Sequence, residues 1–376
     1  MAVHRPTRFI DDLVPLILAS SEHWWPSDFV HLAVVSRAWL IPVQRRLYAA
    51  PTLASFRACR LFARTLDRNP SLLPFIHGMD ICPVAMCEVA DGWPMCHDTN
   101  SLRRLLNIHG LTSLRLGGEL AVAAERFLRS LASAHTITEL HIDGSKRDTG
   151  TGQRRYISPS ASLEWDHTTT FRFPNLRKFT LSHLELNIEP PSVSYCLKLE
   201  EVTMDRVDIV SGWLHHLAHG SWHHLRTLTI KNTDPCDLEE QVKLVLECCT
   251  DSLTSLRYEI DHDSVRDIVF ESMIVPCSTL RELRISGVHV SAFKLSDLAL
   301  FFPSLVTLSV FGRSVHVAPS EWVMFLHSGA LPTLRDLHIP NGHGPPFTRW
   351  TEGMHRSIQD AGALKNVRVH KPSHRL

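Results

Sequence analysis

The stretch Leu280-Arg-Glu-Leu283-Arg-Ile285 decides the fold of this chain, because its pattern recurs along most of the sequence. Apolar residues occupy the first, fourth and sixth positions of this six-residue frame, and the positions between are mostly polar. Ten copies occur, and successive copies start 23 to 39 residues apart. The copies begin at Leu111, Ile137, Leu176, Leu199, Leu225, Leu253, Leu280, Leu305, Leu334 and Leu364.

The frame predicts a short strand that buries one of its two faces. Side chains alternate along a strand, so the fourth and sixth positions point one way and the third and fifth point the other. One copy cannot bury its own apolar row, whereas stacked copies form a parallel sheet with a continuous apolar layer. Each fully buried aliphatic side chain contributes about 1.5 to 3 kcal/mol, so these rows are expected to dominate stability.

A period in the twenties with an apolar residue at these three positions resembles the leucine-rich-repeat family. The resemblance covers residues 111–376 and extends more loosely from Ile76. It implies an α/β solenoid with a parallel sheet on the concave face and helices on the convex face. The Asn or Cys that usually follows the frame in that family is mostly missing, so the repeats are degenerate. Helices are predicted between strands at 121–132, 210–219, 235–249, 264–274 and 320–327.

Residues 8–49 have a different pattern and form a separate helical module. Leu13, Ile17 and Leu18 lie at helical spacing, and Asp28 is placed to cap a second helix that runs to residue 38. A third helix is predicted at 42–48. Pro15 interrupts the first helical pattern, where a proline kinks or delays a helix unless it lies in the first turn. A module of this size has a small core and low stability alone, so it is expected to dock on the neighbouring segments.

The module also resembles an F-box, in a degenerate form with Ile10 in place of the usual proline. The resemblance is carried by Phe9-Ile-Asp-Asp-Leu13-Val14 and by Val35-Ser-Arg-Ala-Trp39. An F-box followed by leucine-rich repeats is a known architecture, in which the F-box binds the Skp-type subunit of a cullin-RING ubiquitin ligase. The residues that this resemblance assigns to the Skp-type partner are Phe9, Ile10, Leu13, Val14, Ile17, Leu32, Val35 and Trp39.

The chain therefore divides into three segments. The F-box-like module at 8–49 is followed at 53–110 by a linking helix and a degenerate first repeat, which begins at Ile76. The repeat array occupies 111–376. A flexible insertion is expected at 143–170, because this range is the longest interruption and is rich in Gly, Ser and Thr.

Composition excludes several classes of function. Lys plus Arg and Asp plus Glu are each 39, so the net charge is zero, and neither a nucleic acid nor a membrane partner is expected. The nine cysteines form no paired framework at the repeat ends, and the N-terminus lacks the apolar core of a signal peptide. We therefore expect a protein of the cytoplasm or nucleus.

No catalytic, metal or cofactor site is predicted. Cys82, Cys87, Cys96 and His97 do not have zinc-ligand spacing, and the histidines near His215 have no acidic or cysteine partner in sequence. The common motifs for acyl transfer, nucleotide binding and zinc hydrolysis are missing. We expect a non-catalytic protein without a cofactor.

The concave face is the expected binding surface for a protein substrate, because solenoids present such faces to partners. The leading hypothesis is a substrate-recognition subunit of a Skp/cullin/F-box ubiquitin ligase. The alternative is a leucine-rich-repeat scaffold whose F-box has degenerated, and a secreted recognition protein would need cysteine caps or a leader. The concave-face residues selected for substrate binding are Glu139, His141, Glu201, Asp205, Arg257, Arg284 and His338.

Overall fold

A computed structural model describes residues 9–20, 24–84, 96–145, 161–190, 197–218, 222–233, 238–260, 275–312, 314–340 and 350–370. The chain divides into two compact units, Met1–Ile157 and Ser158–Leu376. Unit 1 contains the three N-terminal helices and the first strands, and unit 2 contains most of the repeats.

Three helices open unit 1: α1 (Phe9–Ala19), α2 (Pro26–Ala33) and α3 (Arg37–Tyr48). Their core consists of Val14, Leu18, Phe29 and Val43. α1 begins at Phe9, so Pro15 lies in the helix interior and not in its first turn. α2 ends at Ala33, five residues before the predicted end at residue 38, and α3 begins five residues before the predicted start at residue 42, with Pro42 inside the helix.

The rest of unit 1 alternates strands and helices. Its elements are β1 (Thr52–Leu53), α4 (Phe56–Arg68), β2 (Gly78–Ile81), α5 (Cys96–Leu106), β3 (Ser113–Gly117), α6 (Glu125–Ser130) and β4 (Glu139–Asp143). The strands pair in parallel in the order β1–β2–β3–β4. Met79 pairs with Leu114, which places the degenerate repeat at Ile76 in register with the first full copy.

The three helices dock on the linking segment through aromatic contacts. Tyr48 of α3 stacks on Phe62 of α4 with ring centroids 6.2 Å apart, and the Arg45 guanidinium lies 5.6 Å from the Phe75 ring centroid. The backbone carbonyl of Ala49 also accepts a hydrogen bond of 2.8 Å from Gly78 of β2. The module is thus attached to the sheet by both side chains and backbone.

Unit 2 carries eight strands in one parallel ladder. They are β6 (Lys178–Ile188), β7 (Glu201–Ser211), β8 (Thr227–Lys231), β9 (Ser255–Glu259), β10 (Glu282–Ser286), β12 (Thr307–Phe311), β14 (Asp336–His338) and β15 (Arg368–His370). The strand β5 (Ser162–Trp165) pairs with the end of β6. The two short strands β11 (Val290–Ser291) and β13 (Val315–His316) pair with each other. The helices are α7 (His167–Arg172), α8 (Leu238–Cys248), α9 (Ala292–Phe301), α10 (Pro319–Ser328) and α11 (Glu352–Leu364).

The strand register confirms the apolar frame. Leu283 pairs with Leu256 on one side and with Leu308 on the other, and all three side chains are buried. The first-position residue Leu280 is also fully buried. The same burial holds in the other copies except the last. The described strands therefore form a parallel α/β repeat array, which fits the expected leucine-rich-repeat fold.

The final copy is displaced by two residues from the predicted frame. Leu337 pairs with Val369 instead of Val367, and Leu364, predicted to be buried, is 75% exposed at the end of α11. A shift of two residues keeps Val367 and Val369 on the same strand face, so the apolar pattern alone does not distinguish the two registers.

The segments between strands are less helical than predicted. The helices predicted at 235–249 and 320–327 are present as α8 and α10, but the range 121–132 contains only the short helix α6. In the range 210–219, β7 continues to Ser211 and is followed by a 3-10 turn at Leu214–His216. The range 264–274 lies outside the described residues.

The predicted flexible insertion at 143–170 is partly ordered. Residues 161–170 contain β5 and most of α7, and the Trp165 side chain is fully buried. The Trp165 ring lies 4.6 Å from the Phe179 ring, and its indole nitrogen donates to the Leu217 carbonyl at 3.0 Å. Residues 146–160 lie outside the described part of the chain.

Threonine hydroxyls link three pairs of successive repeats. Thr136, Thr279 and Thr333 each stand directly before a frame and donate to the first-position carbonyl of the preceding copy. The three oxygen–oxygen distances are 2.6, 2.8 and 2.7 Å. Carbonyls that would otherwise be buried without a partner are thereby satisfied.

A residue in the left-handed backbone region follows the frame in several copies, and in β6 and β7 this residue lies within the strand. The eighth frame position has positive φ in six copies, at Gly118, His183, Arg206, Asn232, Gly287 and Gly312. At Gly287, with φ of +78°, a Cβ atom would lie 1.7 Å from the carbonyl oxygen of Ile260. Both the backbone conformation and the space therefore require glycine at this position.

We predict that Gly287→Ala destabilises the protein by more than Gly110→Ala. Gly110 also has positive φ, at +83°, but nothing lies within 4 Å of a Cβ placed there. Gly110→Ala should cost only the left-handed penalty of about 1 to 2 kcal/mol, while Gly287→Ala adds a clash with a backbone carbonyl. The free energy of unfolding in urea measures both, and equal losses would contradict the clash.

Candidate functional site

The three-helix module exposes many large apolar side chains. Nine are more than a third exposed: Leu13, Leu16, Ile17, Trp25, Val30, Val34, Val35, Leu40 and Ile41. Val34 is 83% and Trp25 is 72% exposed. Single exposed apolar residues are ordinary, but this density within three short helices is typical of a surface that contacts another protein. We call these nine residues the apolar surface of the module.

The residues predicted to bind a Skp-type subunit differ in exposure, and some are at the surface while others are in the module core. Leu13, Ile17 and Val35 belong to the apolar surface, while Leu32 and Trp39 are partly buried against the module core. Val14 is fully buried in the module core, and its contact with a Skp-type subunit stays a prediction. The side chains of Phe9 and Ile10 lie outside the described part of the chain.

Sequence reasoning missed six members of the apolar surface. They are Leu16, Trp25, Val30, Val34, Leu40 and Ile41. Helical spacing was the available signal, because Leu13, Leu16 and Ile17 share one face of α1, and Val30 and Val34 are one turn apart. The signal was ambiguous because Val14 and Leu18 form a second apolar face on the same helix, and that face is the one buried.

A second surface is the open face of the sheet, formed by the third, fifth and seventh frame positions. In unit 1, Arg115 donates to Asp143 at 2.5 Å and lies 3.7 Å from Asp80. Burial would raise the pKa of Asp143, but hydrogen bonds from Ser145 and Arg115 lower it below its usual value. His141 lies in the same face, and its pKa is lowered by burial and by Arg115. Glu139, on the same strand, is exposed.

In unit 2 the open face is organised around Glu259. This carboxylate accepts from Arg257 at 2.8 Å and from Arg284 on the next strand. Burial would raise the pKa of Glu259, but the hydrogen bond from Arg257 and the two positive charges lower it below its usual value. Arg257 and Arg284, both predicted for this face, are therefore joined by an acidic residue that was not selected.

Aromatic and histidine rings continue the open face beyond Arg284. The Arg284 guanidinium lies 4.9 Å from the Phe311 ring centroid, and Phe311 lies 6.4 Å from His338. His338 stacks on His370 with centroids 4.3 Å apart, and His370 Nε2 lies 2.9 Å from Asp336 Oδ1. Burial, followed by the charge of His370, lowers the pKa of His338 below its usual value.

The two remaining predicted residues lie on β7. Glu201 is 3.9 Å from Lys178 on the neighbouring strand, and Asp205 is half-buried four residues further along the same strand face. The structure thus places all five predicted unit 2 residues on the open face. A depression of about 250 Å³ on this face is lined by Thr229, Ser255, Leu256, Arg257, Glu282, Leu283, Arg284, Thr307 and Ser309.

The described residues contain no group of His, Cys, Asp or Glu side chains arranged to hold a metal ion. Cys249 is buried, and its pKa is raised well above the usual thiol value by that burial. Such a thiol is a poor nucleophile and a poor metal ligand at neutral pH. Within the part of the chain that is described, no helix combines the length and apolar character needed to cross a bilayer.

Comparison with known proteins gives only distant similarities. No family model matches this chain, and no curated protein matches it in sequence. The internalin InlF of Listeria monocytogenes aligns over 99% of this chain and 96% of its own, with 11% identity and a TM-score of 0.40. The leucine-rich-repeat protein LIC12759 of Leptospira interrogans aligns over 80% and 74%, with 13% identity and a TM-score of 0.41. The fold assignment rests on the strand register of this chain itself.

We predict that Glu259→Gln lowers the free energy of unfolding at pH 7 by about 1 kcal/mol, because two arginines lose their shared carboxylate. Because the pKa of Glu259 is lowered in the folded protein, its carboxylate stabilises the fold fully at pH values above the usual pKa of glutamate. This stabilisation is lost as the pH falls through the lower pKa of the folded state. The difference between wild type and variant should therefore shrink in that acidic range.

The matched control for this prediction is Glu282→Gln on the adjacent strand. Glu282 is exposed, and within the described residues it accepts only from the Ser255 hydroxyl at 3.3 Å. Its replacement should change the unfolding free energy by no more than about 0.5 kcal/mol. Urea unfolding across pH 3 to 8 measures both variants, and equal losses would show that the arginine contacts do not stabilise the sheet.

Proposed function

We propose that this protein is a non-catalytic adaptor of a Skp/cullin/F-box ubiquitin ligase. In this proposal the three-helix module binds the Skp-type subunit, and the open face of the repeats binds a protein to be ubiquitinated. The observation that carries the proposal is the apolar surface of the module. Nine exposed large apolar side chains within residues 13–41 exceed the scattered apolar residues of an ordinary surface and favour contact with another protein.

The sequence pattern supports a Skp-type partner over an arbitrary one. The residues that carry the F-box resemblance and the exposed residues overlap at Leu13, Ile17 and Val35. The helical core of Val14, Leu18, Phe29 and Val43 keeps the module folded while these side chains remain available. Docking through Tyr48 and Arg45 holds the module against the first repeats, as an adaptor that positions a substrate requires.

The open face supports the binding of a protein partner. It offers Arg284 and Phe311 for contact with carboxylates and apolar groups, beside a stacked pair of histidines. Such an adaptor makes and breaks no bond. It accelerates modification by holding substrate lysines near the charged conjugating enzyme, which raises their effective concentration. The place of action in this proposal is the cytoplasm or nucleus.

The second candidate is a leucine-rich-repeat scaffold that binds proteins without a Skp-type subunit. One observation favours it: Val14, which the F-box resemblance places at the interface, is instead part of the core. In this case the apolar surface of the module contacts another partner. Only the first candidate requires direct binding to a Skp-type subunit.

We predict that Ile17→Ser with Val35→Ser weakens binding to a purified Skp-type subunit by about tenfold or more. Both side chains are largely exposed, at 40% and 63%, so their loss should leave folding unchanged. Isothermal calorimetry with the full chain measures the affinity, and thermal unfolding verifies the fold. Val14 is unsuitable for this test because replacing a core residue would unfold the module.

Phe293→Ser on α9 is the matched control. Phe293 is 75% exposed, but it lies in the repeats of unit 2. The control should bind the Skp-type subunit as the wild type does. Failure of folded wild-type protein to bind at about 50 µM would reject the ligase role and leave the scaffold. Equal weakening by the control and the double variant would instead place the contact outside the module.

A further inference from the structure

Three arginines lie along one rim of the unit 2 sheet, on three of four successive strands of the ladder. Val306 donates its amide to the Arg281 carbonyl at 2.8 Å, and Arg335 donates to the Val306 carbonyl at 2.8 Å. Arg368 then donates to the Arg335 carbonyl at 2.7 Å. Parallel strands are about 4.8 Å apart, so the backbones of Arg281 and Arg335 stand roughly 10 Å apart with Val306 between them.

These residues line a groove of about 940 Å³, which we call the cationic groove. Its lining consists of Arg281, Val306, Pro332, Thr333, Leu334, Arg335, Lys365, Asn366 and Arg368. Four of these described residues are cationic and none is acidic. For a chain with zero net charge, such local segregation of positive charge points to an anionic ligand.

The positive charge of the groove is largely uncompensated. Arg368 shares Asp336 with His370 on the neighbouring open face, and Arg281 donates to the neutral carbonyl of Ser304. Among the described residues, neither Arg335 nor Lys365 forms an ion pair. An incoming anion therefore does not need to displace an existing carboxylate from these two side chains.

We propose that the cationic groove binds an acidic segment of a partner protein, an extended stretch with several Asp or Glu residues. The planar guanidinium of arginine pairs with a carboxylate through two parallel hydrogen bonds. An extended segment advances about 3.3 Å per residue, so side chains on one side recur about every 6.6 Å along the groove. Val306 and Pro332 provide apolar contact between the charges.

The hydrogen bonding of the backbone amides favours a ligand with several separate carboxylates over a ligand with a single phosphate group. Phosphate sites commonly use free backbone amides at a helix start or a nest. Here the amides of Val306, Arg335 and Arg368 are already bonded within the ladder. Side chains spread along the groove are the donors that remain. The proposal does not rest on the adaptor role, because no residue of the groove belongs to the three-helix module.

The test uses the full chain and fluorescence anisotropy. The probe is a short fluorescein-labelled peptide that alternates Asp with Ser, and its control replaces every Asp by Asn. At low salt the Asp peptide should bind and the Asn peptide should not, and added salt should weaken the binding. Arg281→Ala with Arg335→Ala should weaken the binding by about fivefold or more. Arg335→Gln alone should give a smaller loss in the same direction.

Arg226→Ala is the matched control variant. Arg226 is exposed and occupies the same frame position as Arg281, but it does not line the groove. Its replacement should leave the affinity for the Asp peptide unchanged. Equal binding of the Asp and Asn peptides, or equal losses in Arg226→Ala and the double variant, would overturn the proposal. Binding of a phosphoserine peptide without binding of the Asp peptide would also overturn it.

Discussion

Every other feature of this protein depends on the in-register stacking of one apolar frame per repeat. Leu283 is buried because Leu256 and Leu308 flank it on the neighbouring strands, and no single repeat could bury it alone. The same register fixes the other side of the sheet. Arg284 stands between Arg257 and Ser309 on one rung, so the chemistry of the open face follows from how the core is packed.

The buried residues at the first, fourth and sixth frame positions could be predicted from the sequence, because the same spacing of apolar residues recurs in every copy of the frame. The prediction failed at the end of the array, where Leu364 is exposed and β15 is shifted by two residues. The terminal strand has a neighbour on only one side, so fewer contacts select its register. At the eighth frame position, Gly287 and Gly312 are residue types that indicate positive φ. His183 and Arg206 also have positive φ there, but their residue types give no such indication because they rarely adopt this conformation.

Membership of the open face was predictable, but the contacts within it were not. Alternation identifies Arg257 and Arg284 as outward residues, yet only the three-dimensional register shows that Glu259 holds both. The N-terminal module presents the opposite difficulty. Its first helix is apolar on two faces, and periodicity cannot tell which of Val14 and Leu16 is buried. Packing against α2 and α3 decides this, and such contacts are not local in sequence.

The open face and the cationic groove differ in how much of their positive charge is already paired with a carboxylate. On the open face, Arg257 and Arg284 already hold Glu259, so a partner's carboxylate must compete with a preformed pair. In the cationic groove, Arg335 has no such competitor among the described residues. Long-range attraction of the acidic segment proposed above would therefore originate mainly at the groove. In the proposed binding to the open face, shape and aromatic contact would count for more than net charge, because Arg257 and Arg284 are already neutralised by Glu259.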